Sequence, residues 1–210
     1  LCSKTIQAST DTNGSQGFSA TPTGTPRTWT YTYNSSGNVL TANGPRTDVA
    51  DTTAYTYYPD DDPDIGKRGN LASIANAAGH LTSITAYNIH RQPLTIVEPN
   101  GLTTTLTYDV RQRLKTRTVG SETTTYDYDG VGQLTKVTLP DGSFLSYTYD
   151  DAHRLTAITD NLGNRVVYIL DLLGNRIQEQ VLDPANQLAR TRSRVFNSLS
   201  RLFRELLTRE

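Results

Sequence analysis

An aromatic residue followed by Asp or Asn returns along this chain at Tyr33-Asn34, Tyr87-Asn88, Tyr108-Asp109, Tyr128-Asp129, Tyr149-Asp150 and Phe196-Asn197. Leu170-Asp171 keeps the Asp without the aromatic, and Tyr58-Pro59-Asp60 is a stretched version. From Tyr87 to Leu170 successive anchors lie 21, 20, 21 and 21 residues apart. A fixed period of this size describes one supersecondary unit that buries its face only against its neighbours, so the repeat constrains the fold before any other feature does. The spacing loosens where 44–55, 59–68 and 183–189 carry extra residues. Six positions after the anchor a Leu recurs, at Leu114, Leu134, Leu155 and Leu202.

Each unit carries two turn signals. The first follows the anchor, in Asn34-Ser-Ser-Gly37, Asp129-Gly-Val-Gly132 and Asp171-Leu-Leu-Gly174. Asp or Asn at the first position and Gly at the fourth is type I turn chemistry, in which the side-chain oxygen bonds nearby backbone N–H groups. The second signal is Pro99-Asn-Gly101, Pro140-Asp-Gly142 or Asn161-Leu-Gly163-Asn164. The segments between the turns have strand length, and Tyr147 and Tyr149 share a face by two-residue alternation. The unit is therefore a β-hairpin. Roughly eight hairpins give about 16 strands, and twisted sheets of more than about 10 strands curl. The fold class expected is all-β: a repetitive antiparallel hairpin meander forming a curved strip or a segment of a spiralling β-shell. Residues 1–28 read as a polar, irregular lead-in, 29–207 as the hairpins (regular over 87–182), and 208–210 as a tail. Leu134 and Val137, or Leu155 and Ile158, stand three apart and cannot share a face of a regular strand, so either a bulge intervenes or both faces pack.

Composition agrees. Hydrophobic residues make up 35% of the chain while Tyr reaches 12, which suits a pleated surface half wet and half packed. With 20 Lys+Arg against 21 Asp+Glu the net charge is −1, so no global field favours nucleic acid or an anionic membrane. The single Cys2 excludes an intrachain disulfide, and His80, His90 and His153 belong to different repeats. No apolar run is long enough to span a bilayer, and residues 1–30 are too polar for a signal peptide. Met is absent even at position 1, so the chain is expected to be a piece of something longer.

With the Tyr-Asp-x-x-Gly-x-Leu phrases on the page, cleanest in Tyr128-Asp-Gly-Val-Gly-Gln-Leu134, the chain resembles the Rhs/YD-repeat family over residues 29–207. The family comprises very large bacterial polymorphic toxin proteins and insecticidal toxin-complex proteins, with animal teneurins as relatives. The resemblance implies a β-strip that spirals into a hollow shell around a C-terminal toxin, and a secreted or bacterial cell-surface location. Its partners would be neighbouring segments of the parent chain, further copies of itself, or the enclosed toxin. This chain is too short to close a shell. It also lacks the family's autoproteolytic segment with paired Asp-Pro-x-Gly-Leu motifs, since Asp183-Pro184-Ala185-Asn186 shares only the dipeptide.

Other constellations are weaker. Asp60, Asp62 and Asp64 fit the first three ligand positions of a calcium loop, but Ile65 stands where Gly is needed and Leu71 where Glu is needed. His153 occupies the turn position held by Gly132 or Gln112 in other repeats, which makes it a variant turn residue rather than a general base. No nucleophile elbow, zinc-ligand pair or phosphate loop occurs. The segment is read as non-enzymatic, with no catalytic, cofactor or metal residue. In 189–210, Val195, Leu199, Leu202, Phe203 and Leu206 follow helical spacing among arginines, while Phe196-Asn197, Arg201 and Leu202 match Tyr149-Asp150, Arg154 and Leu155. The repeat alignment favours a strand. The functional expectation is a structural module of a toxin-enclosing shell, its repeat anchors being Tyr33, Tyr87, Tyr108, Asp109, Tyr128, Asp129, Gly132, Leu134, Tyr149, Asp150, Leu155, Asp171, Gly174 and Phe196. The alternative is a surface-exposed adhesion module that binds carbohydrate or protein on its Tyr/Thr face.

Overall fold

The computed structural model describes residues 2–209; Leu1 and Glu210, at the ends of the expected lead-in and tail, lie outside them. The chain divides into two compact units between Thr105 and Leu106. Apart from one 3-10 turn at Gly17–Ser19, the regular structure of the described residues is strand.

The first unit holds β1 (Ser3–Ser9), β2 (Pro22–Tyr33), β3 (Val39–Asn43), β4 (Thr52–Tyr57), β5 (Leu71–Ala75), β6 (Leu81–Tyr87) and β7 (Pro93–Val97), with β8 (Thr103–Tyr108) running past the division. Each strand pairs antiparallel with the next in sequence. The second unit continues with β9 (Leu114–Val119), β10 (Glu122–Tyr128), β11 (Leu134–Thr138), β12 (Phe144–Tyr149), β13 (Leu155–Asp160), β14 (Arg165–Leu170), β15 (Arg176–Leu182), β16 (Leu188–Phe196) and β17 (Leu202–Arg209), again paired in order. The meander of hairpins is as the repeat requires, and 189–196 and 202–209 are strand rather than helix.

Residues 3–9 and 22–28 of the expected lead-in are strand rather than irregular. They contain β1 and the first part of β2, joined by Ser3↔Thr30 to Ser9↔Pro22 pairing. Thr supplies β-propensity, and Thr and Gln supply cross-strand bonds, such as Thr5 Oγ1 to Thr28 Oγ1 at 2.9 Å and Gln7 Nε2 donating to the Gly24 carbonyl at 2.7 Å. Both faces of this ribbon are exposed, so it has no apolar alternation from which to be recognised. The expected tail likewise begins inside β17.

A bulge accounts for the three-residue spacing of Leu and Val. Tyr128 pairs with Leu134 while Asp127 pairs with Lys136, which leaves Thr135 as the extra residue. The same shift leaves Thr156 unpaired between Leu155 and Ala157. Leu134 and Val137 thereby return to one face.

Packing is shallow. Among the described residues Tyr87 (9% exposed) and Thr104 (7%) are the buried side chains, and no large side chain is fully enclosed. With so little apolar surface removed from water, ladder hydrogen bonds and side-chain ties between hairpins carry an unusually large share of the stability.

Candidate functional site

The repeating turn is the site that recurs. At Asp129 the backbone N–H donates to the Gln133 carbonyl at 3.0 Å, and the Gly132 N–H donates back to the Asp129 carbonyl at 3.3 Å. The Asp129 carboxylate accepts from the N–H groups of Val131, Gly132 and Gln133 at 3.0, 2.7 and 2.8 Å. The fourth residue has positive φ: 106° at Gly132, 83° at Gly174, 65° at Arg91 and Gln112, and 62° at His153. This is a type I turn closed by a left-handed residue, the common three-residue hairpin loop. Burial works upward on Asp129, but the bonds from Gln133, Gly132 and Val131 outweigh it and hold its carboxyl below the ordinary value of 3.8.

In four turns the Asp carboxylate also accepts a bond from the side chain of the fifth residue. Asp109 accepts from Arg113 Nε at 2.7 Å and Nη2 at 2.6 Å, and Asp150 from Arg154 Nε at 2.8 Å and Nη2 at 2.7 Å. Such two-pronged contacts fix geometry as well as charge. In the other two, Asn164 and Asn175 donate their amides to Asp160 and Asp171 at 2.8 Å. The neutral anchors accept backbone bonds in the same way: the Asn88 side-chain Oδ1 from the N–H groups of His90 and Gln92, and Asn197 Oδ1 from those of Leu199 and Arg201, and the Asn88 amide also donates to Gln92 Oε1 at 2.9 Å.

The anchors meet their Leu across the strand pair. Tyr128 stands opposite Leu134, Tyr149 opposite Leu155, Phe196 opposite Leu202, Tyr33 opposite Val39 and Tyr87 opposite Pro93, each beside a bulge. Leu170 stands opposite Arg176 above the Asp171–Gly174 turn. In the stretched repeat Tyr57, not Tyr58, faces Leu71, while Tyr58 takes the turn-opening position with its N–H on the Asn70 carbonyl at 2.9 Å. Tyr108 ends β8 half-buried, and burial raises its hydroxyl above the ordinary value of 10.0.

Three bonds then tie successive Tyr-anchored hairpins in the same way. The Tyr149 hydroxyl donates to the Leu134 carbonyl at 2.9 Å, Tyr128 to Leu114 at 2.9 Å, and Tyr87 to Leu71 at 2.7 Å. Tyr57 donates to Val39 at 2.9 Å, the equivalent position. Each ring thus reaches the backbone at the bulge of the hairpin before it. The turns are tied too: Arg113 Nη1 donates to the Asp129 carbonyl at 3.4 Å, Arg154 Nη1 to that of Asp171 at 3.0 Å, and His153 Nδ1 lies 3.1 Å from Gln133 Oε1. The Arg113 guanidinium also lies over the Tyr128 ring, 4.4 Å from its centroid. Arg113, Arg154 and the carbonyl acceptors were not among the anchors read from sequence, although Arg four residues after Asp was a usable signal.

The acidic loop 59–69 is knitted to itself. Asp62 accepts from the Asp64 N–H at 2.8 Å, Asp64 from the Gly66 N–H at 3.0 Å, and Arg68 Nε donates to the Asp62 carbonyl at 2.7 Å. These carboxylates act as turn acceptors.

An Rhs-repeat family model matches residues 118–143, 128–165 and 149–193. No curated protein matches in sequence. Among solved structures the chain is similar to TcdB2-TccC3 without its hypervariable C-terminal region, at 18% identity and TM-score 0.74. It is likewise similar to TcdB2-TccC3-Cdc42 at 19% and 0.71, and to the Photorhabdus luminescens Tc holotoxin pore with a TccC3 substitution at 19% and 0.72. Each alignment covers 99% of this chain and 12% of the other, so the likeness is one of fold over a small share of those proteins. Residues 118–193 thus carry Rhs repeats, and the same turn recurs on both sides of that stretch.

Proposed function

We propose that this chain is a stretch of wall in an Rhs-type shell that encloses and insulates a toxic cargo, and that its work is structural rather than catalytic. The observation that carries the reading is the tyrosine tie. A sheet with almost no buried core is held hairpin to hairpin by hydroxyl–carbonyl bonds at equivalent positions, which suits a wall extended by repetition rather than a globule closed around a site. The anchors Tyr33, Tyr87, Tyr108, Tyr128, Tyr149 and Phe196, with the turn residues Asp109, Asp129, Asp150 and Asp171, then serve as joints. Similarity to parts of Tc toxin assemblies supports the same reading. Such a wall would work outside the cytoplasm, in a secreted particle or at the cell surface.

Protease protection of the native protein that carries these repeats tests the proposal. A cargo behind the wall resists digestion until urea opens the sheet, and then disappears in the same transition. Digestion of the cargo at the same rate before and after unfolding contradicts enclosure.

A further inference from the structure

Arg190, Arg192 and Arg194 alternate along β16, which places all three on one face. Arg192 stands directly opposite Glu179 of β15 and Leu207 of β17, Arg194 opposite Glu205, and Arg190 opposite Val181. Glu179 lies 3.8, 3.9 and 3.8 Å from the guanidinium groups of Arg176, Arg190 and Arg194. Glu205 lies 3.6 Å from Arg192 and 2.8 Å from Arg194. Four cations therefore face two anions, four minus two, a local surplus of two positive charges on a chain whose net charge is −1. Only the Arg194–Glu205 contact is a hydrogen bond; the others, at 3.6–3.9 Å, lie beyond that range. Each guanidinium has five donors, and the Arg190 and Arg192 side chains are 38% and 35% exposed.

The same face turns apolar on the side away from β17. Val181 stands opposite Val166, Val166 opposite Ile158, and Ile158 opposite Tyr147. Leu145, Ile158, Val166 and Val181 line a recess of about 150 Å³, with Asp160, Asn164 and Arg165 completing it. Val181 is both a wall of this recess and the cross-strand neighbour of Arg190.

We infer that this face docks an extended acidic polypeptide, one apolar side chain entering the recess and carboxylates meeting Arg190 and Arg192. Charge complementarity selects an anionic partner, and side chains on one side of an extended peptide recur every ~6.8 Å, the spacing of alternate residues along β16. A nucleic acid fits less well. The Tyr168 ring is already covered by Arg176, 3.6 Å from its centroid, so it offers no free platform for a base, and the recess is apolar. The surface is a property of these strands and does not depend on enclosure of a cargo.

Fluorescence anisotropy with the whole chain tests this, using a labelled peptide of alternating Glu and Leu, its Gln-for-Glu counterpart, and an oligothymidylate of equal charge. The Glu peptide is expected to bind in low salt and to weaken as salt rises, and the Gln peptide to show no saturation. Combined Arg190→Gln and Arg192→Gln should cost about tenfold in affinity, with combined Arg190→Lys and Arg192→Lys between that and the parent. Equal binding of the Gln peptide, preference for oligothymidylate, or unchanged affinity in the folded double Gln variant overturns the inference. If that variant loses its β spectrum, the salt dependence of the unsubstituted chain decides: salt-independent binding overturns it.

Discussion

The hydroxyl of Tyr149 is bonded to the carbonyl of Leu134 at 2.9 Å, and Leu134 is the residue that faces Tyr128 in the hairpin before. The hydroxyl of Tyr128 in turn reaches the Leu114 carbonyl at 2.9 Å. In these two units the tyrosine does two jobs: its ring stands opposite the Leu of its own hairpin, and its hydroxyl holds the previous one. The link is nearest-neighbour, so the loss of one tie should be felt first in the two hairpins it joins.

Tyr149→Phe keeps the ring and removes the tie, leaving the Leu134 carbonyl without its side-chain donor. A loss of about 0.5–1.5 kcal/mol is expected, seen as a lower urea midpoint with unchanged slope. The same substitution at Tyr147, which faces Ile158 on the same sheet face, removes no such tie and should shift the midpoint less.

Asp150→Asn preserves an acceptor for the Arg154 N–H but loses the ion pair with the Arg154 side chain, whereas Asp150→Ala loses both. The order of stability expected is Asp, then Asn, then Ala. Hydrogen exchange at the Arg154 amide should quicken most in the Ala variant. The Asn anchors at positions 34, 88 and 197 show that the neutral turn still forms.

Acid should loosen the turns together. The carboxyls of Asp109, Asp150, Asp160 and Asp171 are held below the ordinary 3.8, by the Arg113 backbone N–H, by the Arg154 side chain, and by the Asn164 and Asn175 amides respectively. A carboxyl whose folded value is depressed contributes stability fully above its unfolded value and loses it as pH falls through the folded one. The urea midpoint is therefore expected to stay level well above pH 3.8 and to fall below it. A decline complete before pH 3.8 is reached would show that other groups govern acid unfolding.

The left-handed turn position gives substitutions of opposite sign. Gly132, at φ 106°, should lose about 1–2 kcal/mol on replacement by Ala, because a Cβ is strained there. Arg91 holds φ 65° with a side chain, so Arg91→Gly should be neutral or stabilising by up to about 1 kcal/mol, the relief of strain offset by the added freedom of the unfolded chain. Thermal midpoints of the two variants check both signs.

Much of this fold could be read from residue order because the turns are chemically explicit. Asp129 followed by Gly132 specifies a turn, and the recurrence of that pair at a fixed period specifies hairpins. The bulge was visible as one of two readings of the Leu134–Val137 spacing, and only strand register decides between them. Residues 3–9 and 22–28 were illegible as strand because a ribbon wet on both faces has no hydrophobic alternation. The tyrosine ties were hidden because their acceptors are backbone carbonyls, which carry no sequence signature. The shift of the anchor from Tyr58 to Tyr57 followed from the long loop after it, whose ends close on Tyr58 and Asn70 rather than on an Asp.

Electron microscopy of the native protein that carries these repeats tests the central claim most directly. The account predicts a closed, hollow particle whose wall is a continuous strip of hairpins, with density inside it. An open strip or an extended rod would contradict the wall reading and turn attention to display and binding on the Tyr/Thr face.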